Sequence, residues 1–320
     1  MKITMKLSYA LLLIMSGYPA PGFSGNAAKT ASTLRLRFVF ITTCVESKFF
    51  EPVKKGMNDA AAMLDVDCSF IGTHGVDIGA QVKMVQQAVQ SGYDGIALNI
   101  IDPIAFDGVV QEAMDHHIPV IAFNVDDHAT PNARLSAVCQ QLYPAGRTLG
   151  KRALAYIPQT SHVLITMNDK GVSALEDRVR GIQNILQTKN ITWTVMITGT
   201  TAAWSAQAIT RKLKKNPDIR HILCTGQADT EGAGLAIENA FPGYTVAGFD
   251  LSPETLRLIR AGIIRFTIDQ QPYVQGFFPV VQLAQYCRYG ILPSSMDAGA
   301  GIIDKHNVEQ VIRLCRQLYR

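Results

Sequence analysis

The sequence lacks the motifs that mark nucleotide, metal and hydrolase sites. No Gly-x-x-x-x-Gly-Lys-Ser/Thr loop occurs, and no strand pattern runs into Gly-x-Gly-x-x-Gly, so the usual phosphate-binding loops are excluded. There is no His-x-x-x-His pair or Cys/His cluster for a metal, and no Gly-x-Ser-x-Gly turn to present a nucleophile. We therefore expect no cofactor, no metal, no catalytic residues and no enzymatic activity.

The chain also has little net charge. Its 30 Lys and Arg against 26 Asp and Glu give a formal charge of +4 at pH 7 over 320 residues. Two of these charges, on Lys2 and Lys6, lie ahead of Ala28. The charge that remains is too small to indicate a nucleic-acid partner, and we expect none.

Long hydrophobic runs are scarce. An apolar segment over residues 7–15 follows Lys2 and Lys6, and it is too short to span a bilayer, which takes about 18–20 residues. Small residues then lead to Ala27 and Ala28, a pattern typical of an export signal. We predict a signal peptide over residues 1–28, cleaved near Ala27 or Ala28; an uncleaved anchor is the alternative. No Cys follows this segment to carry a lipid.

Cysteine is present, but without the close pairs of a redox or metal motif. No Cys-x-x-Cys occurs, and most of the cysteines lie in apolar runs, where a thiol behaves as a small hydrophobic group. An oxidising compartment would permit a disulfide. Burial as free thiols and one disulfide therefore both stay open. The cysteines are Cys44, Cys68, Cys139, Cys224, Cys287 and Cys315.

Strand and helix patterns alternate along almost the whole chain. Several strand patterns are apolar throughout, as expected when helices cover both faces of a parallel sheet. Repeated strand–helix units predict an α/β fold with doubly wound parallel sheets, and so many strands fit two sheets in two lobes better than one. The strand patterns are Leu36–Thr43, Cys68–Gly72, Gly95–Ile100, Val120–Asn124, His162–Thr166, Thr192–Thr198, His221–Thr225, Thr245–Phe249 and Arg265–Ile268.

Polar side chains follow most of these strand patterns. Ligands of doubly wound sheets bind at the carboxyl ends of the strands. Carboxylates and amides exchange hydrogen bonds with hydroxyls, and Arg offers a fork to two oxygens. One such residue is usually a helix cap or turn former, but a series at successive strand ends predicts a site for a sugar or polyol. The candidates are Thr43, Ser47, Asn99, Asn124, Asp126, Arg178, Trp204, Gln227, Asp229, Asp250 and Gln270.

Two adjacent aromatic rings, Phe49 and Phe50, stand before a helical pattern. A helix buries one stripe, so two neighbouring large rings cannot both face the same core. We expect one ring to pack inward and the other to face a cleft, where it can stack on the C–H face of a sugar.

Six short motifs, in this order and spacing, carry a resemblance to a known family. They are Ser47–Phe50, Gly95–Asn99, Ile118–Asp126, Arg178–Gly181, Gly248–Asp250 and Thr267–Pro272. On these motifs the chain resembles, over roughly residues 34–310, the periplasmic sugar-binding proteins of ABC transporters, of the ribose- and galactose-binding type.

The resemblance implies two lobes joined by three crossings, with the sugar enclosed between them. We place the crossings near Val138–Gln141, Ile268–Gln271 and Gly301–Asp304. One lobe then comprises residues 34–138 and 271–302, and the other 139–270 and 303–320. The resemblance also implies a periplasmic location, a membrane permease as partner and a monomer.

Carried over by position, the resemblance implies roles for individual residues. Phe50 and Phe49 match the family's stacking pair, and residues that hold sugar hydroxyls are matched by Asn99, Asn124, Arg178, Asp250 and Gln270. Trp204 lies beside the position of a stacking tryptophan in galactose-type members, so we expect Trp204 and Phe50 to sandwich the sugar from opposite lobes.

Some positions depart from the family pattern. Asn124 stands where ribose-type members carry Asp, and Gln140, which we include in the site, stands where a small serine is usual. The ribose-type aromatic residue and Arg after the sixth strand are replaced by Thr200 and Ala202. These changes predict a less charged site, suited to a neutral monosaccharide or a sugar alcohol rather than ribose itself.

Other function classes are weaker. A sensor of the same fold that signals to a membrane receptor is the alternative that stays open. A sugar-responsive repressor would need an N-terminal helix-turn-helix, which the first 33 residues do not provide. The adjacent carboxylates Asp126 and Asp127 could do acid–base chemistry, but hydroxyl binding needs fewer assumptions.

Overall fold

The computed structural model describes residues 35–127, 129–241 and 243–320. The predicted signal peptide and its cleavage site lie outside these residues. The strands are β1 (Arg37–Thr42), β2 (Asp67–Gly72), β3 (Gly95–Ile100), β4 (Val120–Asp126), β5 (Ser136–Cys139), β6 (His162–Met167), β7 (Thr192–Ile197), β8 (His221–Cys224), β9 (Thr245–Phe249), β10 (Ile264–Asp269), β11 (Met296–Asp297) and β12 (Gly301–Asp304). The helices are α1 (Phe50–Leu64), α2 (Ile78–Gln90), α3 (Asp107–Asp115), α4 (Leu142–Ala153), α5 (Ser173–Gln187), α6 (Ala202–Lys215), α7 (Gln227–Ala240), α8 (Pro253–Arg260), α9 (Pro272–Tyr289) and α10 (Val308–Arg316).

These elements build two six-stranded sheets. The first sheet has the order β11-β5-β4-β3-β1-β2, and the second has the order β12-β10-β9-β8-β6-β7. Neighbouring strands are parallel except for β10 and β12, which are antiparallel. The prediction of two doubly wound parallel-sheet lobes is confirmed.

The alternating direction of the side chains along each strand explains why helices cover both faces of each sheet. In β1, Phe38 and Phe40 pack into the core under α1 and α9, whereas Val39 and Ile41 pack into the core under α2 and α3. Successive strand residues point to opposite faces, so an entirely apolar strand needs helices on both sides. Each of these side chains is fully buried and contributes about 1.5–3 kcal/mol through the hydrophobic effect.

Three short segments pass between the sheets. They join β5 to α4, β10 to α9, and β11 to β12. Two glutamines tie these segments together: Gln140 donates to the carbonyl of Gly299 at 2.9 Å, and Gln271 donates to the carbonyl of Ala298 at 2.6 Å. The crossings therefore form one hydrogen-bonded unit beside the carboxyl ends of the strands.

Two lobe boundaries differ from those expected from the sequence. Cys139 is expected in the second lobe, but it ends β5 of the first sheet. Residues 301–302 are expected in the first lobe, and 301–304 in a crossing, but they form β12 of the second sheet. The strands β5, β11 and β12 have four residues or fewer, too few for a period of two to stand out in the sequence.

The described residues include all six cysteines, and each is a free thiol. Over the same residues, no helix has the length and apolarity that crossing a membrane requires.

Candidate functional site

Two of the predicted site residues adopt left-handed backbone conformations. Asn124 has φ 64°, and Asp250, directly after β9, has φ 70°. Asn and Asp tolerate this region better than other non-glycine residues, yet each such residue still costs free energy unless its surroundings hold it. Strain of this kind clusters at ligand sites.

Asn99 and Asn124 form the first-lobe part of the site. The Nδ2 of Asn99 donates to the Oγ1 of Thr42 at 2.9 Å and to the Oδ1 of Asn124 at 3.4 Å. Asn99 is 3% exposed, and among the described residues its Oδ1 has no hydrogen-bond partner. A buried acceptor without a donor costs about 1–3 kcal/mol, which a ligand hydroxyl would recover.

Arg178 forms the centre of the second-lobe part. Its Nε and Nη2 donate to the Oε1 of Gln140 at 3.2 and 2.8 Å, and its Nη1 donates to the carbonyl of Thr225 at 2.9 Å. The guanidinium carbon lies 4.2 Å from the ring centre of Phe249, and Nη1 lies 3.8 Å from the Oδ2 of Asp250. Burial lowers the pKa of Arg178, and the nearby carboxylates oppose that shift.

A chain of amides connects the two parts. Gln270 donates from Nε2 to the Oδ1 of Asp250 at 2.7 Å. Gln275 donates from Nε2 to the carbonyl of Gln270 at 2.8 Å and accepts from the Nδ2 of Asn124 at 3.0 Å. The hydrogen bonds therefore run from the first lobe through a crossing to the second lobe. Six predicted residues belong to this network: Asn99, Asn124, Gln140, Arg178, Asp250 and Gln270.

A cavity of about 800 Å³ is bordered by two residues of the network, Asp250 and Gln270, and much of its wall comes from α8, α10 and the residues after α10. Its wall includes Phe49 and Pro52 at the start of α1, and Gln227, Asp250 and Gln270 from the opposite side and the crossing. Gln227 also donates from Nε2 to a backbone carbonyl at 3.0 Å. Side chains of both lobes therefore face one space large enough for a monosaccharide.

The adjacent phenylalanines divide their roles. Phe50 is 5% exposed and packs into the core, with ring centres 5.6 Å from Phe70 and 6.5 Å from Phe123. Phe49 lies edge-on to Phe50 at 5.2 Å, is half-buried and lines the cavity. The sequence analysis predicts that Phe50 stacks on the sugar. In the structure the ring that borders the cavity is Phe49, because Phe50 is the first residue of α1 and lies on the buried face of that helix.

Other predicted residues lie apart from the network. Asp126 forms an ion pair with Arg134, with 2.5 Å between Oδ1 and Nε, inside the first lobe. Trp204 is 60% exposed in the first turn of α6 and does not line the cavity, and its sandwich with Phe50 stays a prediction. Thr43 is buried after β1, and Ser47 is exposed and accepts from the backbone N–H of Phe49 at 3.4 Å.

Asp229 is predicted to bind the ligand, but in the structure its carboxylate holds the fold together. Its carboxylate is fully buried and accepts from the hydroxyl of Thr166 at 2.7 Å and from the N–H groups of Thr225 and Gly226 at 2.9 and 3.0 Å. It sits in the first turn of α7, so it satisfies backbone donors that the helix leaves free. Its oxygens are occupied by the fold and do not reach the cavity.

Asp229 should give the protein a pH-dependent stability. Burial raises the pKa of Asp229 to about 7, although its hydrogen bonds act in the opposite direction. Between the ordinary value of 3.8 and about 7, the folded state binds a proton that the unfolded chain releases. The free energy of unfolding should therefore fall as pH rises through this window and level off above it. Urea unfolding from pH 4 to 8 tests this: the difference between wild type and Asp229→Asn should shrink with rising pH, and a constant difference would contradict it.

Gln275 is the site residue that the sequence analysis missed. It is fully buried in α9, on a helix whose other inward residues are mostly apolar. A second buried glutamine, Gln282, follows seven residues later on the same face. Two amides at heptad spacing in an apolar helix were the signal that could have identified it.

The arrangement suits a neutral, hydroxyl-rich ligand. Amides, one carboxylate and one guanidinium supply both donors and acceptors, and Phe49 supplies a flat apolar face. Within the described part of the chain, no three His, Cys, Asp or Glu side chains are grouped to hold a metal ion.

Comparison with known proteins identifies a family and several similar proteins. A family model described as periplasmic binding protein domain matches residues 38–290. The chain is 31% identical over 317 residues to the xylose/arabinose-binding protein of Sulfolobus acidocaldarius, covering 93% of this chain and 78% of that protein. It is 24% identical to the ribose import binding protein of Bacillus subtilis, covering 86% of this chain and 88% of that protein.

A solved structure agrees with this chain in its fold. A carbohydrate transporter from Acidothermus cellulolyticus, in complex with myo-inositol, superposes with a TM-score of 0.77 at 28% identity. The match covers 89% of this chain and 100% of that one.

Proposed function

The chain belongs to the periplasmic binding protein domain family, and we propose that it is the substrate-binding component of a sugar ABC transporter. It binds a neutral monosaccharide or polyol between its two lobes. It is a binding protein and not an enzyme. The names of its relatives, which bind xylose, arabinose, ribose or allose, support this class of ligand.

The observation that carries the proposal is the hydrogen-bond network with its unmet acceptor. The Oδ1 of Asn99 is buried beside Asn124 and, among the described residues, lacks a donor. In the second lobe, Asp250 borders the cavity with 13% of its side chain accessible and can accept from a ligand hydroxyl. A ring of hydroxyls between these groups would satisfy both lobes together.

Binding is expected to close the lobes. The ligand-facing groups are divided between two sheets that are connected through three short crossings, and a ligand that contacts both halves stabilises their approach. The closed form would then be recognised by a membrane permease. The protein acts outside the cytoplasmic membrane as a monomer, in keeping with its family and the predicted export signal.

A ligand screen tests the function. Addition of D-xylose, L-arabinose, D-ribose, D-allose or myo-inositol at saturating concentration should raise the melting temperature. A ligand present at 100 times its dissociation constant adds about 2.7 kcal/mol to the free energy of unfolding. Amino acids and nucleotides at the same concentration should not stabilise the protein, because Gln140 and the Thr225 carbonyl already occupy the guanidinium of Arg178 and the sequence has no phosphate-binding loop. Stabilisation by an amino acid, with no effect of any sugar or polyol, would overturn the proposal.

A further inference from the structure

A single buried amide connects the predicted sugar-binding groups of the two lobes. Gln275 is 0% exposed and uses both ends of its side chain. Its Oε1 accepts from Asn124 at 3.0 Å, and its Nε2 donates to the carbonyl of Gln270 at 2.8 Å and to the Oε1 of Gln270 at 3.3 Å. From these contacts we infer that Gln275 is a positioning residue for sugar binding, which orients Asn124 and Gln270 without touching the ligand.

The contact with Asn124 supports a strained backbone. The left-handed conformation of Asn124, with φ 64°, costs free energy that the surrounding contacts must offset, and Gln275 supplies one of these contacts. Gln275 fixes the amide so that Nδ2 is occupied and Oδ1 points toward the Nδ2 of Asn99. Loss of Gln275 would free the amide of Asn124 to rotate away from the ligand.

The Gln270 side transmits the same constraint to the second lobe. Gln270 lies in the crossing between β10 and α9 and donates to Asp250 at 2.7 Å. Its own orientation depends on the two contacts with Gln275, since its carbonyl and its Oε1 both accept from the same Nε2. Gln275 therefore sets the positions of hydrogen-bonding groups of both lobes.

The backbone of Gln275 is fixed by close helix packing. At the next residue, Gly276, an added Cβ would lie 1.9 Å from the carbonyl oxygen of Val53 in α1. The two helices therefore pack backbone to backbone at this point, and α9 has no room to shift. A side chain on such a rigid element holds its partners in fixed places.

Gln282 provides a matched control on the same helix. It is 9% exposed, accepts from the Oγ of Ser136 at 2.8 Å and donates to the carbonyl of Ser294 at 3.0 Å. It thus resembles Gln275 in residue type, burial and hydrogen bonding, but none of its partners belongs to the site network. Gln275→Met and Gln282→Met remove equivalent polar groups at nearly constant volume.

The inference rests on the proposed function, and the experiment separates the two. Affinity is measured by calorimetry with whichever sugar or polyol of the thermal screen binds the wild type. Gln275→Met should weaken binding at least ten-fold, whereas Gln282→Met should stay within two-fold of wild type. Equal losses in both variants, or wild-type affinity in Gln275→Met, would overturn the positioning role while leaving the proposed function intact.

A ligand-free measurement covers the remaining cases. Amide hydrogen exchange around Asn124 and Gln270 should be faster in Gln275→Met than in Gln282→Met. If no sugar binds the wild type, the proposed function fails, and this difference supports only the part of the inference in which Gln275 orients Asn124 and Gln270; its absence overturns that part. If Gln275→Met does not fold, Gln275→Glu replaces it: measured at a pH where its carboxyl is ionised, this variant keeps the acceptor for Asn124 and removes the donor to Gln270, so it should also show faster exchange at Gln270. Unchanged exchange in that variant would overturn the inference.

Discussion

Replacement of Asp250 by Asn is expected to weaken sugar binding at least ten-fold while leaving the fold intact. Asp250 has 13% of its side chain accessible, borders the cavity and lies 3.8 Å from Arg178. A hydrogen bond to a charged group is worth about 1.5–3 kcal/mol, and 1.4 kcal/mol corresponds to a factor of ten in affinity. Asn is the informative substitution because it tolerates φ 70° and can still accept from Gln270, so the change is confined to the charge and to one acceptor oxygen, which becomes an NH2 donor.

Asp65→Asn is the matched control for this experiment. Asp65 also has a left-handed backbone, with φ 53°, but it ends α1 with 73% of its side chain exposed and pairs with Arg35 at the surface. Its replacement should change neither affinity nor stability measurably. Titration calorimetry and thermal unfolding of both variants give the comparison. If Asp250→Asn binds the sugar like wild type, Asp250 lies outside the binding site.

Replacement of Arg178 by Met is expected to reduce both stability and affinity. The guanidinium is 4% exposed and donates to Gln140 and to the carbonyl of Thr225, and these acceptors would be left buried without donors. Each unsatisfied group costs about 1–3 kcal/mol, so the free energy of unfolding should fall by roughly 3 kcal/mol. Affinity should fall ten- to hundred-fold, or about 1.4–2.8 kcal/mol, because Gln140 and Asp250 lose the group that orients them.

Arg180→Met separates this effect from the loss of any arginine. Arg180 lies two residues later in α5, has 68% of its side chain exposed and pairs with Asp177. Solvent screens such a pair, so urea unfolding and sugar titration should match wild type. Wild-type stability and affinity in Arg178→Met would show that the buried guanidinium neither supports the crossing nor serves the site.

The architecture was accessible from the sequence because it depends on local patterns. Apolar strand runs that alternate with amphipathic segments define a doubly wound parallel sheet, and the predicted run Gly95–Ile100 coincides with β3. The strand patterns also locate the carboxyl ends of the strands, and this is why Asn99, Asn124 and Asp250 are candidates on sequence alone. The family resemblance rests on the same segments and is confirmed by the family match.

The partners of those side chains were not accessible, because each is set by residues far away in the chain. Asp126 and Asp229 have the chemistry of ligand groups, yet Arg134 occupies the first and the amino end of α7 occupies the second. Only packing decided that Phe50 enters the core and Phe49 faces the cavity.

The sequence by itself determined two parallel-sheet lobes, the order of their strands along the chain, and the polar strand ends that supply the candidate site. Tertiary structure decided which of these polar groups are free for a ligand and how the lobes are coupled. The physical reason is sequence separation: the contact of Asn124 with Gln275 joins residues 151 positions apart, and its formation depends on how α9 returns to the first sheet. Local pattern determines a residue's secondary structure and face, whereas the hydrogen-bond partner of a buried side chain exists only once the chain has folded around it.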